Sequence, residues 1–315
     1  MRIRDKIKKP QRPVVAYEIL PPREKDGTLN SYAETISSLL SQTHIDAINI
    51  PEVHDEVGRG DRPVVNQKRG EPREFGMLLQ DIVGIEAIIN RVVVHDPYDR
   101  QMKWLEETNT KYEIENMIIV GGESSKVSYP GPTVNEALKA ITDKYNQNGG
   151  NIFCGGIAIP SRKAESKNLI KKSDNGSEFF TTQVLYDSKN IIKMINNYQQ
   201  RCDELDTFPR RILLSFAPVS SQKNVEFLKW LGVEIPDDTE KYLQARPGSM
   251  TERSLDVSIE VLNEILNYIQ ENDLRVPVGL NVEHIMSYNF QSSVEMLQEL
   301  ARIYREFCIK AQHYS

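Results

Sequence analysis

Short apolar, β-branched runs alternate with longer segments of helical period eight times along the 315 residues, and nothing else in the sequence restricts the fold as much. The runs are "VVAYEIL" from Val14, "DAINIP" from Asp46, "RVVVH" from Arg91 and "NMIIVGG" from Asn116. They continue with "NIFCGGIAIP" from Asn151, "EFFTTQVLY" from Glu178, "RILLSFAP" from Arg211 and "VPVGLNV" from Val276. Most are continuous rather than alternating, as suits parallel strands covered on both faces. Between them lie amphipathic segments. Over 251–272, Leu255, Ile259, Leu262, Leu266 and Ile269 mark one face, and Ser249 with Glu252 has capping-box spacing. A similar stripe over 290–311 carries Val294, Leu297, Ala301, Tyr304 and Phe307. Strand then helix, eight times, predicts an α/β fold: a single (β/α)8 TIM barrel over 1–315, with an extra segment, 233–248, packed outside between strands seven and eight.

Charge and composition narrow the function. A formal charge of -6 disfavours a nucleic-acid binder, which offers a basic stripe to phosphates. The locally basic stretch is 1–12, where Arg2, Arg4, Lys6, Lys8, Lys9 and Arg12 accompany Asp5; it reads as a solvated arm, without the apolar centre of a signal peptide. No run approaches the roughly 18 apolar residues of a membrane helix, so a cytoplasmic protein is expected. Cys154, Cys202 and Cys308 form no C-x-x-C pair and read as reduced core thiols. Residues 54–75, rich in charge, Gly and Pro, form a long loop after the second strand that is either disordered or a binding lid, and its place on the site face of such a barrel favours the lid.

Barrels of this kind gather their active sites at the carboxyl ends of the strands. Those ends carry Glu18, Glu52, His95 with Asp96, and Glu123 in the first half of the chain. The second half adds Ser161 and Arg162, Gln183 and Asp187, Ser220, and Asn281 with Glu283 and His284. Glu18 stands inside an apolar strand, where desolvation raises a carboxyl's pKa and fits it to donate a proton near neutral pH; a core Glu paired with Arg or Lys is the alternative. Gln183 interrupts another apolar run, and its planar amide suits a heterocycle with adjacent N–H and carbonyl groups as well as it suits neighbouring backbone. The Gly121–Gly122 pair before Glu123 fits a flat ligand or an ordinary turn. The glycines form neither a dinucleotide fingerprint nor a Walker loop, the five histidines take no metal spacing, and no Ser or Cys sits in a nucleophile elbow.

Four blocks of the sequence carry a resemblance. "YEILPPR", "KKSDNGSEFFTTQVLYD", "FAPVSSQKNVEFLKWLGVEIP" and "GLN" at 279–281 fall in order from one end of the chain to the other. Together they resemble the methylenetetrahydrofolate reductase family. The resemblance implies reduction of the methylene group of 5,10-methylenetetrahydrofolate to methyl, in a pathway toward methionine. It assigns Glu18 as the acid that opens the five-membered ring to an iminium and Gln183 as the residue that holds the pterin. Asp187 and Asn281 join Gln183 on the substrate side, and Glu123 stands where the family has a catalytic Asp.

On the cofactor side the resemblance implies FAD reduced by NADH or NADPH, and there the sequence departs from the pattern. Pro51 replaces a flavin-touching Thr, and Arg91 stands where a flavin-facing His is usual. The connection after the fifth strand is short and keeps Lys172, while His95 and Gly122 fall on the same side of the site. Two chemistries follow: FAD bound through altered contacts, or direct hydride delivery from a reduced nicotinamide. A folate or pterin is the expected partner, with no nucleic acid and no membrane, and assembly is left between a homo-oligomer and a subunit of a redox complex. The runners-up are a pterin-dependent methyltransferase and a flavin-free folate-binding subunit.

Overall fold

Eight parallel strands close on one another in chain order: β1 (Val15–Ile19), β2 (Ala47–Pro51), β3 (Ala87–Val92), β4 (Asn116–Val120), β5 (Phe153–Ala158), β6 (Phe179–Val184), β7 (Arg211–Phe216) and β8 (Val278–His284), with β8 returning to pair with β1. The computed structural model describes residues 1–41, 43–54, 60–122 and 127–314. Around the barrel run α2 (Leu29–Leu40), α3 (Pro72–Val83), α4 (Tyr98–Thr110), α5 (Val134–Ala140), α6 (Glu165–Asp174), α7 (Lys189–Glu204), α8 (Gln222–Trp230), α10 (Met250–Glu271) and α11 (Phe290–Tyr314). The expected (β/α)8 barrel is therefore present. Its extra segment is α9 (Asp237–Gln244), held by the buried Leu243 and by a 3.0 Å bond from Arg253 Nε to Leu243 O. None of the helices, over the described residues, is long and apolar enough to cross a membrane.

The helices form where caps and stripes put them. Ser249 Oγ accepts from Glu252 N at 3.1 Å while Glu252 Oε2 accepts from Ser249 N at 3.0 Å, so the capping box opens α10 as its spacing predicts. Val257, Val261, Leu262, Ile265 and Leu266 of that helix are buried, each contributing about 1.5–3 kcal/mol relative to exposure.

Two expectations change. The basic segment 1–12 is not a free arm: although most of its residues are exposed, Ile3–Ile7 forms α1, and its Ile3 and Ile7, one helical turn apart, enter the apolar floor of the barrel with Val14, Ala47, Ile118 and Phe179. Arg4 pairs with Glu115 at 2.9 Å, and Lys6 pairs with Asp46. Arg211, itself buried, donates to Lys9 O at 2.7 Å, Ile7 O at 3.2 Å and Pro10 O at 3.3 Å, which fixes the segment beneath the strands. The third strand also lies earlier than "RVVVH", at Ala87–Val92, because register with β2 and β4 is satisfied from Ile48↔Ala87 to Val92↔Val120. Val93 and Val94 instead turn out of the sheet and pack with Leu105 and Ala137 among the helices.

Strand alternation then decides what the interior receives. Ala16, Ala47, Ile88, Ile118, Phe153, Phe179 and Leu213 fill the lower layer. The strands' next inward positions, toward the carboxyl ends, carry Glu18, Asn49, Asn90, Thr181, Ser215 and Asn281. Gly155 belongs to the lower layer for a steric reason: a Cβ there would lie 2.5 Å from the Phe179 ring. An apolar floor beneath a polar upper layer is the frame of the site.

Candidate active site

A cavity of about 560 Å³ opens at the carboxyl ends of the strands, lined by Glu18, Pro51, Asn90, Gln183, Glu283 and His284 among others, with the segment 62–69 and the end of α8 as its outer wall. Arg62 holds that wall together. Its Nε donates to Val64 O at 2.8 Å and its guanidinium lies 5.2 Å from the ring centroids of both Phe227 and Trp230. Arg69 donates to Pro21 O at 2.8 Å. Of the lid expected over 54–75, residues 55–59 lie outside the described residues, the stretch from 62 to 69 walls the cavity, and Pro72 already begins α3.

At the base of the cavity Glu18 Oε2 accepts from Asn49 Nδ2 at 2.7 Å and from Asn281 Nδ2 at 3.4 Å. The same Asn281 nitrogen reaches Ser215 Oγ at 3.1 Å and Glu283 Oε1 at 3.3 Å. Among the described residues no cation compensates Glu18, and desolvation by the barrel walls pushes its pKa up to about 7, against the smaller opposing effect of hydrogen bonds from Asn281 and Asn90. A carboxylic acid that keeps its proton near neutrality, facing a ligand-sized cavity, is suited to protonate a leaving nitrogen. His284 is buried, and burial pushes its imidazole down to about 4, with Arg69 and Arg23 pushing the same way, so it is neutral at physiological pH.

Across the cavity Gln183 lies where the β6–β7 register shifts, between Thr181 and Val184, while Ser215 N donates to Thr182 Oγ1 at 2.9 Å. A break of this kind re-aims a side chain. Gln183 Nε2 donates to Leu231 O at 3.3 Å, one of the several bonds a primary amide offers, and the rest of the group faces the cavity.

The structure thus brings together Glu18, Gln183 and Pro51 on the cavity wall, with Asn281 directly behind Glu18. Asp187 is not with them: it lies in a separate surface cleft beside Lys189 and Glu234, and its Oδ2 accepts from Lys189 N at 3.2 Å. Glu123 lies outside the described residues.

Of the residues expected to hold a cofactor, Arg91 points away from the interior. Its side chain is 5% exposed, donates to Glu52, to Asp96 Oδ2 at 2.7 Å and to Gln101 Oε1 at 3.0 Å, and lies 4.4 Å from the Trp104 ring centroid. The shift of β3 explains this, since Asn90 rather than Arg91 takes the inward position. His95 packs, tilted by 32° with ring centroids 4.4 Å apart, against His54, which lines the cavity, and so lies one layer behind the lining; the Tyr129 ring covers Gly122, where a Cβ would meet it at 2.3 Å. Lys172 is tied to Ile157 O at 2.5 Å and to the buried Glu165 at 3.3 Å. Asn49, Asn90 and Ser215 were not singled out by sequence. The two asparagines carry the signal that marked Gln183, a polar side chain inside an apolar strand, as "AINIP" and "IINRV" show.

A family model described as methylenetetrahydrofolate reductase matches residues 2–300. Among solved structures, an uncharacterized protein from Clostridium thermocellum, described as binding two copies of 5-methyl-5,6,7,8-tetrahydrofolic acid, aligns over 96% of this chain and 99% of its own at 21% identity and a TM-score of 0.77, which establishes a common fold. A 2,3-dimethylmalate lyase of the PEP mutase/isocitrate lyase superfamily aligns over 99% and 97% at 11% identity, and its TM-score of 0.45 carries no argument. No curated protein matches.

Proposed function

The chain belongs to the methylenetetrahydrofolate reductase family, and we propose from that premise that it binds a reduced folate in the barrel mouth and reduces 5,10-methylenetetrahydrofolate to the 5-methyl form. The observation that carries this reading is Glu18, a buried carboxyl with no cation beside it among the described residues and its pKa raised to about 7, at the base of the cavity, with the Gln183 amide on the wall opposite. The described dimensions suit the ligand, because about 560 Å³ lies in the range of small-molecule sites. The neighbour that shares the fold is described as binding a methylated folate, which supports the same ligand class here.

In the reading, the Gln183 amide holds the pterin edge and Glu18 gives its proton to N10 as the N10–methylene bond breaks. The N5 iminium so formed accepts a hydride at its exocyclic carbon, yielding the methyl group, and Glu18 regains a proton from solvent. FAD, expected from the resemblance, does not fit the residues assigned to it: of the five only Pro51 lines the cavity, His95 lies one layer behind it against His54, and Arg91, Gly122 and Lys172 are committed elsewhere. No step is therefore routed through a flavin, and the electron pair is assigned to a reduced nicotinamide acting directly.

The test pairs binding with turnover. Purified protein is titrated with 5-methyltetrahydrofolate, and oxidation of NADH or NADPH is followed on adding methylenetetrahydrofolate, with and without FAD. Folate binding with flavin-independent oxidation is expected, and Glu18→Gln reduces turnover about a hundredfold or more while binding persists. Folate binding without oxidation of either nicotinamide, and with methyl transfer to a thiol or corrinoid, would replace the reading with that of a methyltransferase.

A further inference from the structure

Glu283 takes no part in the chemistry set out above, yet it is the nearest acidic neighbour of the group that does. Glu18 and Glu283 are register partners on adjacent parallel strands, so their side chains leave the sheet on the same face, and both line the cavity. One amide nitrogen, Asn281 Nδ2, reaches both carboxyls, at 3.4 Å and 3.3 Å. Around them, Asn49 Oδ1, Asn90 Oδ1 and Asn281 Oδ1 are buried acceptors without a donor among the described residues. Two carboxylates would add only acceptors to this acceptor-rich layer, whereas a carboxylic acid brings an O–H donor into it.

We propose that Glu283 is a second functional carboxyl of the site, holding a proton in common with Glu18 so that the pair carries at most one negative charge at neutral pH and Glu18 meets its ligand as an acid. The groups facing Glu283 give no competing explanation. Glu18 on β1 repels a second charge, Ser215 on β7 and Asn281 on its own strand offer neutral hydrogen bonds, and the Tyr186 hydroxyl beyond β6 is buried and neutral. The Arg23 and Arg69 guanidiniums act on the neighbouring His284. Burial and the Glu18 charge both hold Glu283 well above the usual carboxylate range. Like charges this close do not both ionise, and the pair titrates as a unit in two steps. Glu283 is a positioning residue for the proton on Glu18; its tie to folate reduction rests on the reading given above, while the shared proton does not.

Infrared difference spectroscopy of the unliganded protein, labelled in its glutamate carboxyls, reads this directly. Wild type is expected to keep a protonated-carboxyl carbonyl band above neutral pH. In Glu283→Gln the pH at which the last such band disappears falls by about one unit or more, and in Glu18→Gln the remaining acid also ionises at lower pH because its like charge is gone. A wild-type spectrum with no protonated carboxyl at neutral pH, or a Glu283→Gln titration superimposable on it, overturns the proposal. Turnover separates the two readings: the alkaline limb of the kcat/KM profile moves to lower pH in Glu283→Gln if both hold. Intact infrared behaviour without folate reduction would leave the pair standing and remove the reductase.

Discussion

Replacing Glu18 with Gln makes the protein more stable in alkaline solution and leaves it nearly unchanged in acid. The folded state raises this carboxyl from 4.5 to about 7, so between those values it binds a proton that the unfolded chain has already released. Stability therefore falls as pH rises through that window, is fully present below about 4.5, and reaches its full loss above about 7. At about 1.36 kcal/mol for each tenfold change in proton affinity the loss is roughly 3 kcal/mol. For a chain of this length an unfolding entropy of about 2.1 cal/mol/K per residue converts that into a Tm change of about 5 °C. The assay is thermal unfolding of wild type and Glu18→Gln at pH 5 and pH 8 in matched buffers. Taking the difference between the proteins at each pH removes the titration of groups that do not feel Glu18; Glu283, relieved of its like charge in the variant, adds to the variant's alkaline advantage in the same direction. Because pH 5 already lies above the unfolded value, the reasoning requires the variant's advantage to grow by about 4 °C from pH 5 to pH 8. Equal differences at the two pH values, or a variant that loses ground in alkali, would refute the claim that Glu18 is held protonated by burial.

Three further outcomes are expected. Gln183→Leu removes the amide but keeps its bulk, and weakens 5-methyltetrahydrofolate binding about tenfold by titration calorimetry, with Tm little changed. Arg91→Met leaves Glu52 and Asp96 without their shared cation, costing about 3 kcal/mol in urea unfolding while the folate dissociation constant stays put; lost ligand affinity at unchanged stability would return Arg91 to the site. Ile7→Ala opens a hole in the barrel floor and costs about 2–5 kcal/mol, whereas a solvated arm would lose nothing.

The architecture was legible because eight apolar runs of strand length, separated by helical stripes, have few ways to bury both faces of every strand. Glu18 and Gln183 were legible for a related reason, since a polar side chain within an apolar strand has to meet another polar group or a ligand. What period could not supply was phase. "AIINRVVVH" is apolar almost throughout, so its strand slides by several residues without changing the pattern, and each single-residue slip exchanges inward for outward. Arg91 was misplaced in that way, and Asn90 overlooked. The floor of the barrel was hidden by charge, because six basic residues mask the Ile3 and Ile7 pair that α1 buries. Asp187 shares a motif with Gln183, yet four positions along the chain are enough to carry it over the rim into a different cleft.

The stitch between Arg211 and the carbonyls of Ile7, Lys9 and Pro10 closes a loop of about two hundred residues. At a synthesis rate of roughly 5–20 residues per second, the ribosome needs on the order of ten seconds or more after making the first helix before its partner exists. During that interval Ile3 and Ile7 meet only the earlier part of the floor, without Leu213, and the leading segment lacks the guanidinium that fixes its carbonyls. Anchoring of the leading segment is thus tied to the seventh strand and closure of the barrel to the eighth, so a chain stalled before Arg211 presents an unplugged, open sheet to the quality-control machinery of the cell.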